Sequence, residues 1–245
     1  MASDGVSPLH GSAVPLSAHA HGVLVLIATP IGDPNDLTPS ARHELGRVDV
    51  LACEDTRRTR RLLAAVDIAA PRLRSVRREN EASAVPWVLR QLEAGLRVGL
   101  VSDAGLPGIS DPGQRLVAGV RAAGGEVRVA AGRSAVSEVV ARLPWVDAGF
   151  VMEGFPPRSG AARGRVIEAI ARRALPTVLF ESPRRVEATL RDLADACGPD
   201  RRAVIAKELT KTHERIILGT LRSPIGEPRG EYVLVVDGAV TTTGR

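Results

Sequence analysis

Apolar runs of strand length alternate along the chain with longer segments in which polar and apolar residues are mixed. Val23–Ala28, Val98–Val101 and Tyr232–Val236 contain no charged residue. Unbroken apolar runs of this length are typical of strands that are buried on both faces of a sheet. Because helix-like segments follow such runs in both halves of the sequence, the pattern predicts two α/β domains.

Capping residues, prolines and glycines mark the ends of the predicted elements. Thr38, Asn80 and either Asp55 or Thr56 are predicted to cap helices. The predicted helices cover 39–45, the segment after 55 or 56, 81–93, 112–123, 135–142, 163–173 and 186–196. The predicted strands cover 23–28, 48–52, part of 67–78, 98–101, 126–130, a segment that starts at 150, 177–180, 203–207 and 232–236.

The alternation of strands and helices restarts between Gly132 and Phe150, where we place the domain boundary. The first 21 residues are rich in Ser, Ala, Pro and His and lack the pattern of a secretory signal, so we expect a disordered leader. The predicted division is a leader at 1–21, a first domain at 22–131, a linker at 132–149, a second domain at 150–240 and a tail at 241–245.

The stretch Val98–Gly113 changes from a short apolar run into a loop that is dense in glycine and proline and has acids at Asp103 and Asp111. Glycine permits unusual backbone angles and proline fixes φ, so the loop is expected to follow a rigid path with exposed amides. Open α/β sheets bind ligands just beyond the carboxyl ends of their strands. The loop is therefore either a ligand loop or a long surface turn.

Composition narrows the choice of partner only slightly. The chain has 33 Lys and Arg against 28 Asp and Glu, a formal net charge of +5. An excess of Arg suits phosphates and stacked bases, but nucleotide bias in the source genome would also produce it. Two distant cysteines predict neither a disulfide framework nor a zinc site, so we expect a reducing cytoplasm and no metal. No apolar run is long enough to span a membrane.

Two predicted strand ends pair acidic residues with arginines. The first has Glu54 and Asp55 followed by Arg57, Arg58, Arg60 and Arg61, and the second has Glu181 followed by Arg184 and Arg185. Four arginines within five residues cannot all lie on one face of a helix, so some must point to solvent or to a ligand. A solvated charge run and a functional site both remain open here.

Eight segments, taken in their order along the chain, resemble the motifs of a known protein family. They are ATPIGDPNDLT, VDVLACEDTRRTRRLL, RENE, VGLVSDAGLPGISDPG, EGFPP, LFESPRR, AKELTKTHE and GEYVLVVDG, and the likeness as a whole runs from Leu24 to Gly238. With them the chain resembles the tetrapyrrole methylase superfamily, the class III S-adenosylmethionine methyltransferases. Within it, the chain is most similar to the ribosomal RNA small subunit methyltransferase I family.

This resemblance implies two α/β domains with mixed sheets, S-adenosylmethionine in the cleft between them, and a homodimer. It implies 2′-O-methylation of a cytidine in 16S ribosomal RNA, with the RNA or the small subunit as partner. Carried onto matching positions, the implied cofactor-binding residues are Pro30, Ala104, Gly105, Leu106, Ile109, Ser134, Ala135 and Leu209.

Transfer of a methyl group to a ribose hydroxyl needs alignment of donor and acceptor and a group that takes the hydroxyl proton. The available carboxylates are Glu54 and Asp55 at one strand end and Glu181 or Glu208 in the second domain. We assign Glu54 first, with Asp55 beside it, although a carboxylate there could equally be paired with the nearby arginines. The residues expected to hold RNA phosphates are Arg57, Arg58, Arg60, Arg184 and Arg185.

Aromatic residues make up only 2% of the chain, which leaves Phe155 as the candidate for base stacking, or else a core side chain at a strand end. The chain also departs from the family pattern. Ala131 and Arg133 stand where prolines are usual, and Leu106 stands where a threonine is usual. These departures leave two other functions open: a methylase for a small molecule or peptide, and a cofactor-binding protein without catalysis.

Overall fold

The computed structural model describes residues 22–239, which form two compact units. The first unit contains residues up to Ile27, Pro39–Asp103 and Asp111–Ala130. The second contains Ala28–Thr38, Ala104–Ser110 and the chain from Ala131 onward. The predicted leader at 1–21 and tail at 241–245 lie outside the described residues. Every helix within 22–239 is too short or too polar to cross a lipid bilayer.

The first unit is a five-stranded sheet with helices in the connections. Its strands are β1 (Val23–Ile27), β2 (Val50–Cys53), β3 (Arg72–Ser75), β4 (Arg97–Val101) and β5 (Glu126–Ala130), and its helices are α1 (Pro39–Leu45), α2 (Thr56–Ala65), α3 (Glu81–Glu93) and α4 (Gln114–Ala122). The strand order is β3-β2-β4-β1-β5, and every neighbouring pair is parallel. The carboxyl ends of these strands therefore share one edge, where the loops after them meet.

The second unit has a mixed sheet. Its elements are α5 (Ala135–Val140), β6 (Val151–Gly154), α6 (Gly160–Arg172), β7 (Thr177–Glu181), α7 (Val186–Cys197), β8 (Arg202–Lys207), β9 (Arg215–Thr220) and β10 (Tyr232–Val236). The strand order is β6-β7-β10-β8-β9, in which β6 and β7 are parallel and the other pairs are antiparallel. The α/β class is confirmed; the expected mixture of strand directions occurs in this sheet, whereas the first is parallel.

Side chains of the second sheet alternate between two cores. On one face Leu179, Ile205 and Leu234 pack against α6 and α7. On the other face Val178, Val204 and Val235 pack against α5. The predicted linker at 132–149 contains α5 and is grouped with the second unit, whose last and longest segment starts at Ala131.

Most predicted elements agree with the observed ones to within a few residues, and β5, β10 and α3 agree at both ends. Strand β9 was missed, because no strand was predicted between 207 and 232. Asp55 caps α2 by accepting hydrogen bonds from the amides of Arg57 and Arg58. Asn80 occupies the N-cap position of α3 without a side-chain cap bond; its side-chain oxygen Oδ1 accepts from the amide of Arg77 instead.

Candidate active site

Three loops of the second unit are joined by backbone and side-chain hydrogen bonds. They are residues 28–38, 104–110 and 131–134, and we call them the three-loop wall. Thr29 and Gly105 exchange two backbone hydrogen bonds, of 2.9 and 3.1 Å. The hydroxyl of Thr38 donates to the carbonyl oxygen of Ala131 at 2.6 Å. The amide of Gly105 is therefore used within the protein, whereas the sequence had suggested that the amides of this loop were exposed.

Close packing explains the glycines of the wall. A Cβ on Gly132 would lie 2.4 Å from the Cβ of Ala28, a distance at which the two loops could not both keep their positions. Gly105 has a φ of +82°, which a residue with a side chain rarely adopts. These two positions thus fix both the spacing and the path of the wall.

Backbone strain is concentrated in the same part of the chain. Non-glycine residues with positive φ include Ser110 at 66°, Glu208 at 52° and Thr210 at 61°, all of them in the second unit. The hydroxyl oxygen of Thr210 is buried and has no hydrogen-bond partner among residues 22–239. A Cβ built on Gly32 would lie 2.5 Å from that oxygen, so the strained segment packs against the first loop of the wall. Strain of this kind typically marks functional sites.

The predicted cofactor residues all lie in the second unit, on the wall, at the start of α5 or beside Thr210. Ile109 is 44% exposed, so its side chain is open to a ligand. Leu209 is buried in the core against α5, so a ligand could reach only its backbone. The orphaned hydroxyl and the close-packed backbone suit a ligand with many polar atoms. The remaining predicted residues, which are half-buried or buried, are Pro30, Ala104, Gly105, Leu106, Ser134 and Ala135.

Arg133, which stands at one of the missing prolines, links the wall through ion pairs. Its guanidinium lies 3.0 Å from a carboxylate oxygen of Asp36 and 2.8 Å from one of Glu138. Glu138 also pairs with Arg142 at 3.3 Å, and Arg142 approaches Glu214 at 3.8 Å. These ion pairs connect the first loop of the wall, the turn before α5 and the segment after Thr210. We call these five residues the Arg133 network.

Glu54 follows β2 at the carboxyl edge of the first sheet. Burial, and then the charge of Asp103, raise the pKa of its carboxyl, although a hydrogen bond from the Asp103 amide opposes them. Asp103 is the last residue before the second loop of the wall begins at Ala104. A carboxylate with a raised pKa is a better proton acceptor than an ordinary one, as general-base catalysis requires.

Asp55, the second predicted catalytic residue, has a structural role. It caps α2 and forms an ion pair with Arg57 at 3.1 Å. The hydrogen bond from the Arg57 side chain, more than any other contact, holds the pKa of the Asp55 carboxyl well below its usual range. So acidic a carboxyl is a weak base, and its pKa is shifted in the direction opposite to that of Glu54.

Asp111 is a candidate that the sequence named only as an acid of the central loop. Burial, and next the charge of Glu54, raise the pKa of Asp111 to about 6, while a hydrogen bond from Ser102 opposes them. Asp103 lies on the other side of the same loop and is paired with Arg58 at 2.9 Å. Two acids therefore bracket the loop, one neutralised by an arginine and one coupled to Glu54. In the sequence, the only feature that could have pointed to Asp111 as a site residue was the presence of two acids in the central loop.

The second strand end is arranged differently. The carboxylate of Glu181 is fully buried, and both of its oxygens accept from Arg185, at 2.8 and 3.0 Å. It also accepts from the hydroxyl of Thr189 at 2.7 Å and from the amide of Ser182 at 2.7 Å. Arg185 donates further to the carbonyl oxygen of Pro156. Glu181 and Arg185 are thus occupied with each other, and their roles as a base and a phosphate ligand stay predictions.

Glu208, the remaining carboxylate, is also neutralised. It accepts from the ammonium of Lys211 at 2.9 Å and from the amide of Glu231 at 2.8 Å. Burial works against ionisation here, but these hydrogen bonds outweigh it and lower the pKa of Glu208.

Within residues 22–239, no group of three or more His, Cys, Asp and Glu is placed to hold a metal ion.

The arginines predicted to bind RNA fall into three classes. Arg57 and Arg58 are exposed but pair with Asp55 and Asp103. Arg60 and Arg184 are exposed and form no ion pair with another described residue. Arg185 forms the third class, because its guanidinium is half-buried and bonded to Glu181 and to the carbonyl oxygen of Pro156.

Comparison with known proteins places this site in a family. The profile of the tetrapyrrole (corrin/porphyrin) methylases matches residues 23–224. The chain is 40% identical over 223 residues to ribosomal RNA small subunit methyltransferase I of Synechocystis, covering 89% of this chain and 80% of the relative. It is 38% identical over 222 residues to the protein of that name from Thermotoga maritima, covering 89% and 99%. The protein of that name from Mycobacterium tuberculosis strain H37Rv is 42% identical over 223 residues, covering 89% and 78%.

Solved structures share the fold at lower identity. The methyltransferase CobJ superposes with a TM-score of 0.65 at 18% identity, covering 91% of this chain and 96% of that one. Uroporphyrin-III C-methyltransferase from Thermus thermophilus, complexed with S-adenosyl homocysteine, gives 0.62 at 17% identity, covering 89% and 98%. The chain therefore belongs to the tetrapyrrole methylase family and, within it, to the ribosomal RNA small subunit methyltransferase I family.

Proposed function

We propose that the protein transfers the methyl group of S-adenosylmethionine to the ribose 2′-oxygen of a cytidine in 16S ribosomal RNA. The protein is an S-adenosylmethionine-dependent methyltransferase, as its family membership establishes. The observation that carries the choice of substrate is the 40% identity, over 89% of this chain, to a protein named for methylation of small subunit ribosomal RNA.

The three-loop wall supports the cofactor assignment. It combines close-packed backbone, strained residues and the orphaned hydroxyl of Thr210, next to the predicted cofactor residues. When bound, S-adenosylmethionine supplies an electrophilic methyl group on a sulfonium centre. Pro30 and Ala135 would hold this ligand through backbone atoms, and Gly105 would pack against it, so that the methyl group and the acceptor oxygen are aligned for in-line displacement.

Glu54 is the proposed proton acceptor. Its carboxylate takes the proton of the 2′-hydroxyl while the ribose oxygen forms its bond to the methyl carbon and the carbon–sulfur bond breaks. The products are a 2′-O-methyl ribose, S-adenosylhomocysteine and a protonated Glu54 that returns its proton to water. The raised pKa of Glu54 favours this transfer, since general-base efficiency increases as the pKa approaches the working pH.

Arginines near this carboxylate support an RNA acceptor. Arg57, Arg58 and Arg60 lie exposed on α2, which starts two residues after Glu54. Arg77, which follows β3 at the same sheet edge, donates to the backbone carbonyl of Glu54 at 3.4 Å. Several exposed guanidiniums around one carboxylate would neutralise the phosphates that accompany a ribose hydroxyl.

The test is transfer of a labelled methyl group to small ribosomal subunits from a strain that lacks the corresponding methylation, in parallel with protein-free 16S RNA. We expect label in the RNA and a single modified cytidine ribose on mapping. Labelled RNA with the methyl group on a base would contradict the 2′-oxygen assignment. No label in either RNA substrate, from protein that binds S-adenosylmethionine, would contradict the RNA assignment.

The proposal also includes a homodimer that works in the cytoplasm. The resemblance implies the dimer, and the two cysteines, Cys53 and Cys197, are both free thiols, as expected in a reducing compartment. Light scattering coupled to size-exclusion chromatography tests the dimer: we expect twice the chain mass of 25.9 kDa, and a peak at the monomer mass would contradict it.

A further inference from the structure

Phe155 is an exposed aromatic residue at the carboxyl end of β6. Its side chain is 53% exposed, so the interpretation as a core side chain does not hold. One side of the ring contacts Phe180, with the ring centroids 5.6 Å apart and the planes tilted by 53°. An exposed phenyl ring that is supported by a second ring offers a flat apolar surface to a planar ligand.

The loop that carries Phe155 is held rigidly on both sides. Arg185 donates to the carbonyl oxygen of Pro156 at 3.0 Å, and Arg163 donates to that of Pro157 at 3.1 Å. Both arginines are fixed in turn: Arg185 by Glu181, and Arg163 by Asp192 at 2.6 Å. Two consecutive prolines with bonded carbonyls leave the loop little freedom, so the ring is presented in a preorganised position.

Two exposed arginines belong to the loop of Phe155 and to the strand end that is bonded to it. Arg158 follows the two prolines, and Arg184 adjoins the residue that bonds to Pro156. Both are exposed, and neither forms an ion pair with another residue in the range 22–239. An exposed apolar ring with exposed arginines on its own loop and at the adjoining strand end is complementary to a nucleobase and its neighbouring phosphates.

The ring also lies close to the three-loop wall. Gly154, the residue before Phe155, has a φ of +74°, and a Cβ placed on it would lie 3.0 Å from the hydroxyl oxygen of Ser110. Ser110 follows Ile109, an exposed member of the predicted cofactor residues. A base stacked on Phe155 would therefore lie beside the place where the methyl donor is expected.

We propose that Phe155, flanked by Arg158 and Arg184, is a stacking site for a base of single-stranded RNA next to the nucleotide that is methylated. This inference rests on the proposed function, because the base that stacks on Phe155 belongs to the RNA that is the proposed substrate. Stacking on an aromatic side chain tolerates any base, so the site contributes affinity and position and leaves the choice of sequence to other contacts.

The test compares binding of protein-free 16S RNA by the unaltered protein and by Phe155→Ala, Phe155→Trp and Phe150→Ala. Phe150 is the matched control, because it is 38% exposed and precedes β6, at the opposite end of the same strand. We expect Phe155→Ala to weaken RNA binding roughly 5- to 100-fold, which corresponds to the loss of one stacked base. Phe155→Trp should bind at least as well as the unaltered protein, and Phe150→Ala should bind unchanged.

Binding of S-adenosylmethionine, measured by calorimetry, should be the same in all four proteins. Equal weakening by the Ala and Trp substitutions would overturn stacking, as would RNA binding within twofold of the unaltered protein in Phe155→Ala. Weaker binding to assembled subunits with unchanged binding to protein-free RNA would show that the ring meets a ribosomal protein, which also overturns the inference. Failure of the proposed function is distinguishable, since the unaltered protein would then bind RNA through Phe155 without methylating it.

Discussion

Two strand ends of this chain have the same sequence pattern and opposite structures. Glu54 and Arg58 are four residues apart, as are Glu181 and Arg185, and each glutamate ends or follows a buried strand. Glu181 is fully buried and accepts hydrogen bonds from two nitrogens of Arg185, Nε and Nη2. Glu54 lies among acids instead, because Arg58 turns to Asp103, and the pKa of Glu54 is raised by burial and by that aspartate.

The difference teaches that the spacing of an acid and a base does not decide whether they pair. At the second strand end Thr189, eight residues after Glu181, completes the set of donors around the carboxylate. At the first strand end, Asp55 caps the start of α2 and forms an ion pair with Arg57. A fully bonded carboxylate stabilises a fold, whereas a carboxylate that lacks a dedicated cation is available for proton transfer.

The largest effect should come from Glu54→Gln, which removes the proposed proton acceptor with little change in shape. We expect kcat for methyl transfer to fall about 10²- to 10⁴-fold, since that is the usual contribution of a general base. The Kd for S-adenosylmethionine should stay unchanged. Radiolabel transfer and calorimetry measure the two quantities. Asp55→Asn is the control, because Asn also caps helices, and it should keep most of the activity.

Glu181→Gln should act on stability instead of chemistry. It leaves the guanidinium of Arg185 without its buried counter-charge, and breaking such a pair typically costs about 3–5 kcal/mol of unfolding free energy. Urea unfolding measures the loss, and Glu168→Gln, which removes an exposed pair with Arg172, should change stability by less than about 1 kcal/mol. A Glu181→Gln protein that is as stable as the original yet inactive would reverse the two assignments.

The Arg133 network provides a third test, with a smaller effect on cofactor binding. We expect Arg133→Ala to raise the Kd for S-adenosylmethionine about fivefold or less, because exposed ion-pair networks contribute on the order of 1 kcal/mol. High salt should weaken cofactor binding by the original protein and reduce the difference between the two. Arg128→Ala, which removes an exposed pair on β5, is the matched control. A salt-independent difference would contradict the electrostatic explanation.

The arginines of α2 should differ in their contribution to RNA binding. Arg60 forms no ion pair within 22–239, so Arg60→Ala should reduce the slope of log K against log salt by about 0.7 to 0.9, the value for one phosphate contact. Arg57 is already paired with Asp55, so Arg57→Ala should reduce the slope less. Filter binding at several salt concentrations gives both slopes. Equal slopes in both variants and the original protein would place the RNA elsewhere.

Asp111→Asn should have the smallest effect on activity at neutral pH. The charge that raises the pKa of Glu54 comes from Asp103 and not from Asp111, so the acidic limb of the rate profile should stay in place. Stability, in contrast, should change in a defined direction. The folded pKa of Asp111, about 6, lies above its ordinary value of 3.8, so the native state loses stability as pH rises from the ordinary value to the folded one. The Asn variant should therefore unfold at a higher temperature than the original protein at pH 7.5, and without that gain at pH 3.5.

Sequence alone was sufficient where local signals decide the structure. The unbroken apolar run of β10 and the cap at Asp55 are examples, since the first requires burial and the second requires only the next two amides. Strand β9 was missed because its side chains are largely half-buried, and only its antiparallel pairing with β8 makes it a strand. The second unit could not be predicted either, because its members 28–38 and 104–110 are separated from the rest in sequence.

The candidate site was predicted in part. The positions of the wall residues followed from the resemblance, and Glu54 followed from its place after a strand. The structural role of Arg185 and the pairing of Arg58 with Asp103 could not be predicted, because both depend on which side chains the fold brings together. Asp111 was overlooked for the same reason: its coupling to Glu54 joins residues 57 positions apart.

The pH dependence of methyl transfer in a single turnover, with saturating cofactor and small subunits, tests the central claim most directly. We expect the rate of the original protein to fall with decreasing pH as one carboxyl is protonated, with an apparent pKa above that of an ordinary glutamate. Glu54→Gln should show a low rate without that limb, while Glu181→Gln should keep it at temperatures where the variant is folded. An unchanged limb in Glu54→Gln, or its loss in folded Glu181→Gln, would contradict the assignment of Glu54 as the proton acceptor.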